Sequence, residues 1–214
     1  YTGANYAIAT SSGTSALHLA CRAIDLNSED WLWTSAITFA SSANCGLLCG
    51  AKVDFVDIDF DDWNLSVGKL KKKLILAEKQ NKLPKALVLV HFCGLPANLI
   101  EISELCKKYN IYLIEDAAHA LGASFQGHKI GDCSFSDIAI LSFHPVKSIT
   151  TGEGGMALTN NDDFAKKIKS LRSHGITRET TEMSREPDGP WFNEQIDLGY
   201  NYRMADIQAA LGSS

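Results

Sequence analysis

No stretch of this 214-residue chain stays apolar for anything near the roughly 20 residues that a bilayer-crossing helix needs, which excludes a helical membrane span within it. Basic residues do not dominate. Twenty Lys and Arg face 25 Asp and Glu, a net charge of −5, so a nucleic-acid-binding surface is not expected. The cysteines Cys21, Cys45, Cys49, Cys93, Cys106 and Cys133 contain no C-x-x-C pair, and the histidines form no H-E-x-x-H. That speaks against a zinc site and against a disulfide framework. The thiols read as buried and free, in a reducing cytoplasm. Repeats and low-complexity tracts are absent as well. The chain opens on Tyr1 rather than Met and ends just as a helical pattern begins. The expectation is therefore one large domain over residues 1–214 that starts inside a longer gene product, with a further domain beyond its C-terminal end.

What is present is an alternation of apolar runs and helical patterns, the mark of a largely parallel α/β sheet. Strands are predicted at YAIAT (6–10), WLWT (31–34), KVDFVDI (52–58), ALVLVHF (86–92), IYLIED (111–116), DIAILSF (137–143) and GGMALTN (154–160). ALVLVHF is apolar nearly throughout and reads as a buried central strand. Helices are predicted between them, among them SSGTSALHLACRAI, with Leu17, Ala20, Cys21 and Ile24 at helical spacing, and VGKLKKKLILAEKQ. DDFAKKIKSLRSHG should be a helix capped by its leading Asp and by Gly175. Residues 177–191, polar and carrying Pro187 and Pro190, read as a loop. The fold class is thus α/β, with about seven mostly parallel strands flanked by helices.

In such sheets ligands gather at the carboxyl ends of the strands. After the first strand comes SSGT, where small residues let backbone N–H groups at a helix start approach an anion such as phosphate. The same residues are ordinary N-caps, so this stretch alone leaves both readings open. After IYLIE comes Asp116, a carboxylate that is costly at the end of an apolar strand unless something partners it. A protonated ring nitrogen is one such partner; a turn-capping role is the other reading. His119 lies three residues on. After DIAILSF come Ser142 and then Lys147, far from the charge-rich helices that hold most lysines, followed by TTGEGG. A lysine confined in a pocket or near other cations loses proton affinity and becomes a nucleophilic amine. An anion cradle, a strand-end aspartate and a lysine in a glycine- and threonine-rich loop are together what pyridoxal 5′-phosphate requires. Phe39 is placed to stack on its ring, unless it simply packs in the core.

SSGTSAL, TFASSAN, EDAAHALGA, SFHPVKSITTGEGG and LGYNYRMADIQAALG, in that order, resemble the DegT/DnrJ/EryC1/StrS aminotransferases across the whole chain. The resemblance implies the large domain of a fold-type-I pyridoxal-phosphate-dependent transferase. It implies that Lys147 forms the Schiff base, that Asp116 binds the pyridine nitrogen, and that Gly13, Thr14 and Ser142 hold the phosphate. Phe39 would stack, and His119 would stand near the ring hydroxyl, where many members have Gln. Asn201 would reach the phosphate of a neighbouring subunit in a homodimer with shared active sites. The segment LRSHGITRETTEMSREPDGPWFNEQIDLGYNYRM is similar to a branch that moves an amino group from L-glutamate to C4 of a UDP-linked 4-keto-6-deoxy-N-acetyl sugar, in pseudaminic acid biosynthesis.

Three rivals are weighed against this. A sugar dehydratase on the same scaffold carries His where Lys147 stands. A nicotinamide-dependent oxidoreductase wants G-x-G-x-x-G between a strand and a helix, where this chain has SSGTSA. A non-catalytic domain that keeps the fold has no need of the lysine, aspartate and serine together.

Overall fold

In the computed structural model, which describes residues 1–214, five-residue strands alternate with helices along most of the chain. β1 (Tyr6–Thr10) leads to α1 (Gly13–Ala23), β2 (Trp31–Ser35) to α2 (Ser41–Leu48), β3 (Lys52–Val56) to α3 (Val67–Lys79) and β4 (Ala86–Val90) to α4 (Leu99–Tyr109). β5 (Tyr112–Asp116) is followed by a small hairpin, β6 (Ser124–Phe125) with β7 (His128–Lys129), and then by β8 (Ile138–Ser142), β9 (Gly155–Thr159) and α5 (Asp162–Leu171). A second short hairpin joins β10 (Ile176–Thr177) to β11 (Glu194–Gln195), and α6 (Asp206–Ser213) comes last. No helix is long and apolar enough to cross a membrane.

Seven strands form one sheet in the order β1-β9-β8-β5-β4-β2-β3. Strands β3, β2, β4, β5 and β8 run parallel, while β9 is antiparallel to both its neighbours. The direction of β9 follows from its short connection. Twelve residues separate it from β8, and they make a loop rather than a crossover helix, so the chain turns back. Because β9 is reversed, β1 points the same way as the parallel strands. The carboxyl ends of β1, β8, β5 and β4 therefore share one edge. Thr10, Gly155 and Ser142 lie abreast there, and Asp116 sits beside Val90 and Ile140.

Side chains alternate across the strands and build a core on each face. Trp33, Leu87, Leu113, Ala139 and Leu141 pack toward α3 and α4, with Leu70, Leu74 and Ile102. Leu32, Val88, Ile114, Ile138, Ile140 and Ala157 pack toward α1, α2 and α5, with Leu19, Cys45 and Ile168. This alternation decides the site. Glu115 shares a face with Leu113, and Asp116 shares the opposite face with Ile114, so the two adjacent carboxylates point to different sides of the sheet.

The structure corrects several expectations. The cap of α5 is Asn161, whose side chain accepts from the N–H groups of Asp163 and Phe164 at 2.8 and 3.1 Å, and the helix stops at Leu171. Gly175 lies beyond that end, although its N–H donates to the Ser170 carbonyl at 2.9 Å. Its φ of +65° and the overlap that a β-carbon there would make with the Asp197 carbonyl explain why glycine is needed. The cysteines are all free, but they are not all buried: Cys49 is half-buried and Cys93 is exposed on a turn. The two short hairpins escape a periodicity argument because two residues carry no period.

Candidate functional site

The first wall of the site is the turn between β1 and α1. Ser12 caps α1: its hydroxyl accepts from the Ser15 N–H at 3.0 Å, and the Ser15 hydroxyl accepts from the Ser12 N–H at 3.0 Å. This reciprocal box fixes the direction of the helix and leaves its N-terminal backbone donors facing the sheet edge. Gly13 lies directly against Ser142, and a β-carbon on Gly13 would stand 3.0 Å from that of Ser142. Thr14 is exposed, and its hydroxyl meets that of Ser41 at 2.7 Å. Gly155 closes the turn from beneath. A β-carbon there would overlap the Ser12 carbonyl and come within 2.5 Å of the Gly13 nitrogen. Three of the residues expected to hold phosphate, Gly13, Thr14 and Ser142, are thus contiguous, and the cradle exists because position 155 has no side chain.

Asp116 forms the second wall. It is buried, with only 6% of its surface exposed, yet it has no cationic partner within ion-pair distance. The Ser42 hydroxyl donates to one carboxylate oxygen at 2.6 Å, and the Ala118 N–H reaches the other at 3.3 Å. His119 follows at the surface. The turn that carries it is braced by Gly94, whose φ is +85° and on which a β-carbon would come within 2.6 Å of the His119 carbonyl oxygen. The other face of β5 is braced by His91. Its Nδ1 accepts from the Ala97 N–H at 3.1 Å, so its Nε2 carries the proton and donates to Glu115 at 2.8 Å. The Ser136 hydroxyl takes the second Glu115 oxygen.

Lys147 stands on the loop between β8 and β9. The base of that loop is stitched: Phe143 N–H donates to the Gly154 carbonyl at 2.8 Å, Thr151 N–H to the Phe143 carbonyl at 3.0 Å, and the Thr151 hydroxyl to the Glu153 carbonyl at 2.7 Å. The Lys147 side chain is half-buried and makes neither a hydrogen bond nor an ion pair. Burial lowers its proton affinity below that of an ordinary lysine, and the nearby Asp116 charge works against that shift. Burial also lowers that of His119, helped by the Lys147 charge and opposed by Asp116. Lys147, His119 and Asp116 therefore lie within each other's electrostatic reach, although 31 residues separate the first from the last along the chain.

The remaining two residues stand apart. Phe39 is 74% exposed, so it is not a core residue. It sits on the loop that leads into α2, beside Thr38, whose hydroxyl meets that of Ser42 at 2.7 Å. Asn201 is exposed and its side chain makes no hydrogen bond within the chain. Its segment is anchored nevertheless, since the Tyr202 carbonyl accepts from the Ser11 N–H at 2.8 Å. The hydroxyls Thr38, Ser41 and Ser42 were not selected by sequence reasoning, and Gly155 entered it only as part of the TTGEGG loop. The available signal was two hydroxyl residues four apart, Thr38 and Ser42, in the stretch that supplied Phe39.

A mostly parallel seven-stranded sheet with one reversed strand and helices on both faces is the α/β architecture of the fold-type-I pyridoxal-phosphate-dependent transferases. Within that class the chain belongs to the DegT/DnrJ/EryC1/StrS aminotransferase family, whose sequence pattern matches residues 1–214. It is 45% identical over 212 residues to UDP-4-amino-4,6-dideoxy-N-acetyl-beta-L-altrosamine transaminase of Campylobacter jejuni subsp. jejuni serotype O:23/36 (strain 81-176), a match that takes in 99% of this chain and 52% of that protein. Among solved structures it is similar to Helicobacter pylori PseC, an aminotransferase involved in the biosynthesis of pseudoaminic acid, with a TM-score of 0.86 and 32% identity over 99% of this chain and 53% of that one. It is also similar to the PMP-form of the Streptococcus pneumoniae sugar aminotransferase Spr1654, with a TM-score of 0.84 and 26% identity over 100% and 56% of the two chains. The chain thus spans about half the length of the relatives it matches.

Proposed function

We propose that residues 1–214 are the large, cofactor-binding domain of an aminotransferase that uses pyridoxal 5′-phosphate. It moves an amino group from L-glutamate to C4 of a UDP-linked 4-keto-6-deoxy-N-acetyl sugar, as a step toward pseudaminic acid. The observation that carries this reading is the buried Asp116 ending β5 beside β8, whose own end sets Ser142 against Gly13 at the start of α1 and leads into the Lys147 loop. The cofactor fits the residues present: Gly13 and Gly155 keep the anion cradle clear of β-carbons, and Asp116 is a buried carboxylate without a cation.

The bound cofactor supplies an electron sink for the carbanion formed when a proton leaves carbon. The protein's own residues do the rest. The N-terminal donors of α1, with Thr14 and Ser142, bind the phosphate. Asp116 would accept from the ring nitrogen and favour its protonated form. Phe39, 74% exposed on the loop that leads into α2, would cover one ring face. His119 would stand near the ring hydroxyl. Lys147, whose burial favours the neutral amine, would hold the cofactor and would carry the proton to and from the substrate carbon. Asn201 reaches the phosphate of a neighbouring subunit in a homodimer. The free cysteines suit a cytoplasmic setting.

The test uses the full-length protein. Borohydride should fix the cofactor to Lys147, identified by mass spectrometry of the modified peptide. Lys147→Ala should abolish amine transfer from glutamate to the keto-sugar. Native turnover in that variant, or fixation on a different lysine, would overturn the assignment.

A further inference from the structure

The start of α2 breaks a local rule. Its N-cap position is Ala40, with no capping side chain, although two serines follow at once. Hydroxyls at a helix start are ordinarily spent on the helix's own orphan N–H groups. Here both reach outward instead. The Ser41 hydroxyl meets Thr14 at 2.7 Å, on the turn that opens α1. Ser42, completely buried, donates to Asp116 at 2.6 Å. The first-turn N–H groups of Ser42 and Ala43 donate instead to the Phe39 and Ala40 carbonyls, both at 3.1 Å, which leaves the two hydroxyls for other elements.

We propose that Ser42 is a positioning residue for Asp116, and that the adjacent serines Ser41 and Ser42 tie the two ends of the cofactor site, the anion turn and the strand-end carboxylate, to one helical turn. The direction of the hydrogen bonds follows from chemistry. An ionised carboxylate only accepts, so the Ser42 proton points at Asp116. The Ser42 oxygen then has its lone pairs free, and Thr38 donates into them at 2.7 Å. The chain runs Thr38 to Ser42 to Asp116, and Thr38 is the residue before Phe39. The hydroxyl relay thus joins the group that faces the ring nitrogen to the loop that bears the ring-stacking aromatic. With the Ala118 N–H on its second oxygen, the Asp116 carboxylate is held in one plane before any ligand arrives. Such preorganisation lowers the ordering cost of binding.

This inference rests on the cofactor reading above, and the experiment separates the two. In the full-length protein, Ser42→Ala is expected to weaken pyridoxal phosphate binding by about ten- to a hundred-fold, the usual worth of a hydrogen bond to a charged group. It is also expected to shift the visible absorption band of the bound cofactor, because the carboxylate facing the ring nitrogen is no longer held. Ser42→Thr keeps the hydroxyl and should restore both affinity and band, which a merely space-filling role for Ser42 would not require. Thermal unfolding of the cofactor-free variants checks that they fold. Should Ser42→Ala fail to fold, Thr38→Val, which leaves Ser42 in place, is expected to weaken binding by roughly three- to ten-fold. Binding within two-fold of wild type and an unmoved band in Ser42→Ala overturn the positioning role alone, as does an equal loss in Ser42→Thr. A wild-type protein that takes up no pyridoxal phosphate overturns the cofactor reading, and this inference with it.

Discussion

Replacing Gly155 by alanine adds one methyl group at the point where β9 passes under the start of α1. A β-carbon there would overlap the Ser12 carbonyl and come within 2.5 Å of the Gly13 nitrogen, against an ordinary contact of 3.4 Å or more. The obstructing atoms are backbone, so no side chain can rotate away. They are also the atoms held by the Ser12–Ser15 capping box. Either β9 or the start of α1 must shift by about 1 Å, and overpacking of this kind costs about 1–3 kcal/mol, with the rigid obstruction placing this case at the upper end. The same shift moves the N-terminal donors away from the anion they would bind. The expected result is a urea midpoint lowered by an amount worth about 3 kcal/mol, with phosphate or pyridoxal phosphate affinity reduced in parallel. Gly68→Ala is the control. Gly68 is exposed in α3 with nothing nearer than the Ser66 hydroxyl at 4.0 Å, and the identical chemical change there should stabilise by about 0.5 kcal/mol. If Gly155→Ala unfolds within 0.5 kcal/mol of wild type and binds anion normally, β9 does not hold the turn in the way described.

Two further outcomes are expected. Removing His91 should cost more than removing Glu115: His91→Phe takes the hydrogen-bond donor from a buried carboxylate and should destabilise by about 3 kcal/mol or more, whereas Glu115→Leu strands a neutral N–H donor and should cost about 1–2 kcal/mol, both read by urea unfolding. Equal costs would mean that the pair is not the neutral-histidine arrangement drawn from the Ala97 N–H. For Lys147, burial favours the uncharged amine, so acetic anhydride should label it at lower pH than it labels the lysines of α3 in the cofactor-free protein. The neutral fraction grows as pH rises through a depressed value, so the labelling curve of Lys147 must lie to the acid side; a curve coincident with that of Lys71 or Lys72 would refute it.

Much of the fold was legible because its elements are long relative to their period. The strands predicted at 86–92 and 111–116 and the helix predicted at 11–24 appear in the structure as Ala86–Val90, Tyr112–Asp116 and Gly13–Ala23. Caps were less legible. Asn161 rather than Asp162 caps α5, because the cap is chosen by backbone conformation, extended at Asn161, and adjacent polar residues look alike in sequence. The short hairpins at 124–129 and at 176–177 with 194–195 were not legible, since their pairing partners are set by the loops that deliver them. Within the site, glycine, aspartate and lysine announced themselves by type and by their place at strand ends. Ser41 and Ser42 did not, because a serine in a small-residue helix looks like any other until its neighbours in space are known.

The sequence by itself determined the class of elements, their order, and the residue types gathered at strand ends, since period, length and residue chemistry are local properties. Only the tertiary structure decided that β9 runs against its neighbours and which helices cover the opposite faces to which Asp116 and Glu115 point. It alone brought the Ser12–Gly13 turn onto Gly155 and α2 onto Asp116. Those relations hold between residues as far apart as Ser12 and Gly155, and they are fixed by the burial of both faces of one sheet, which no local pattern encodes.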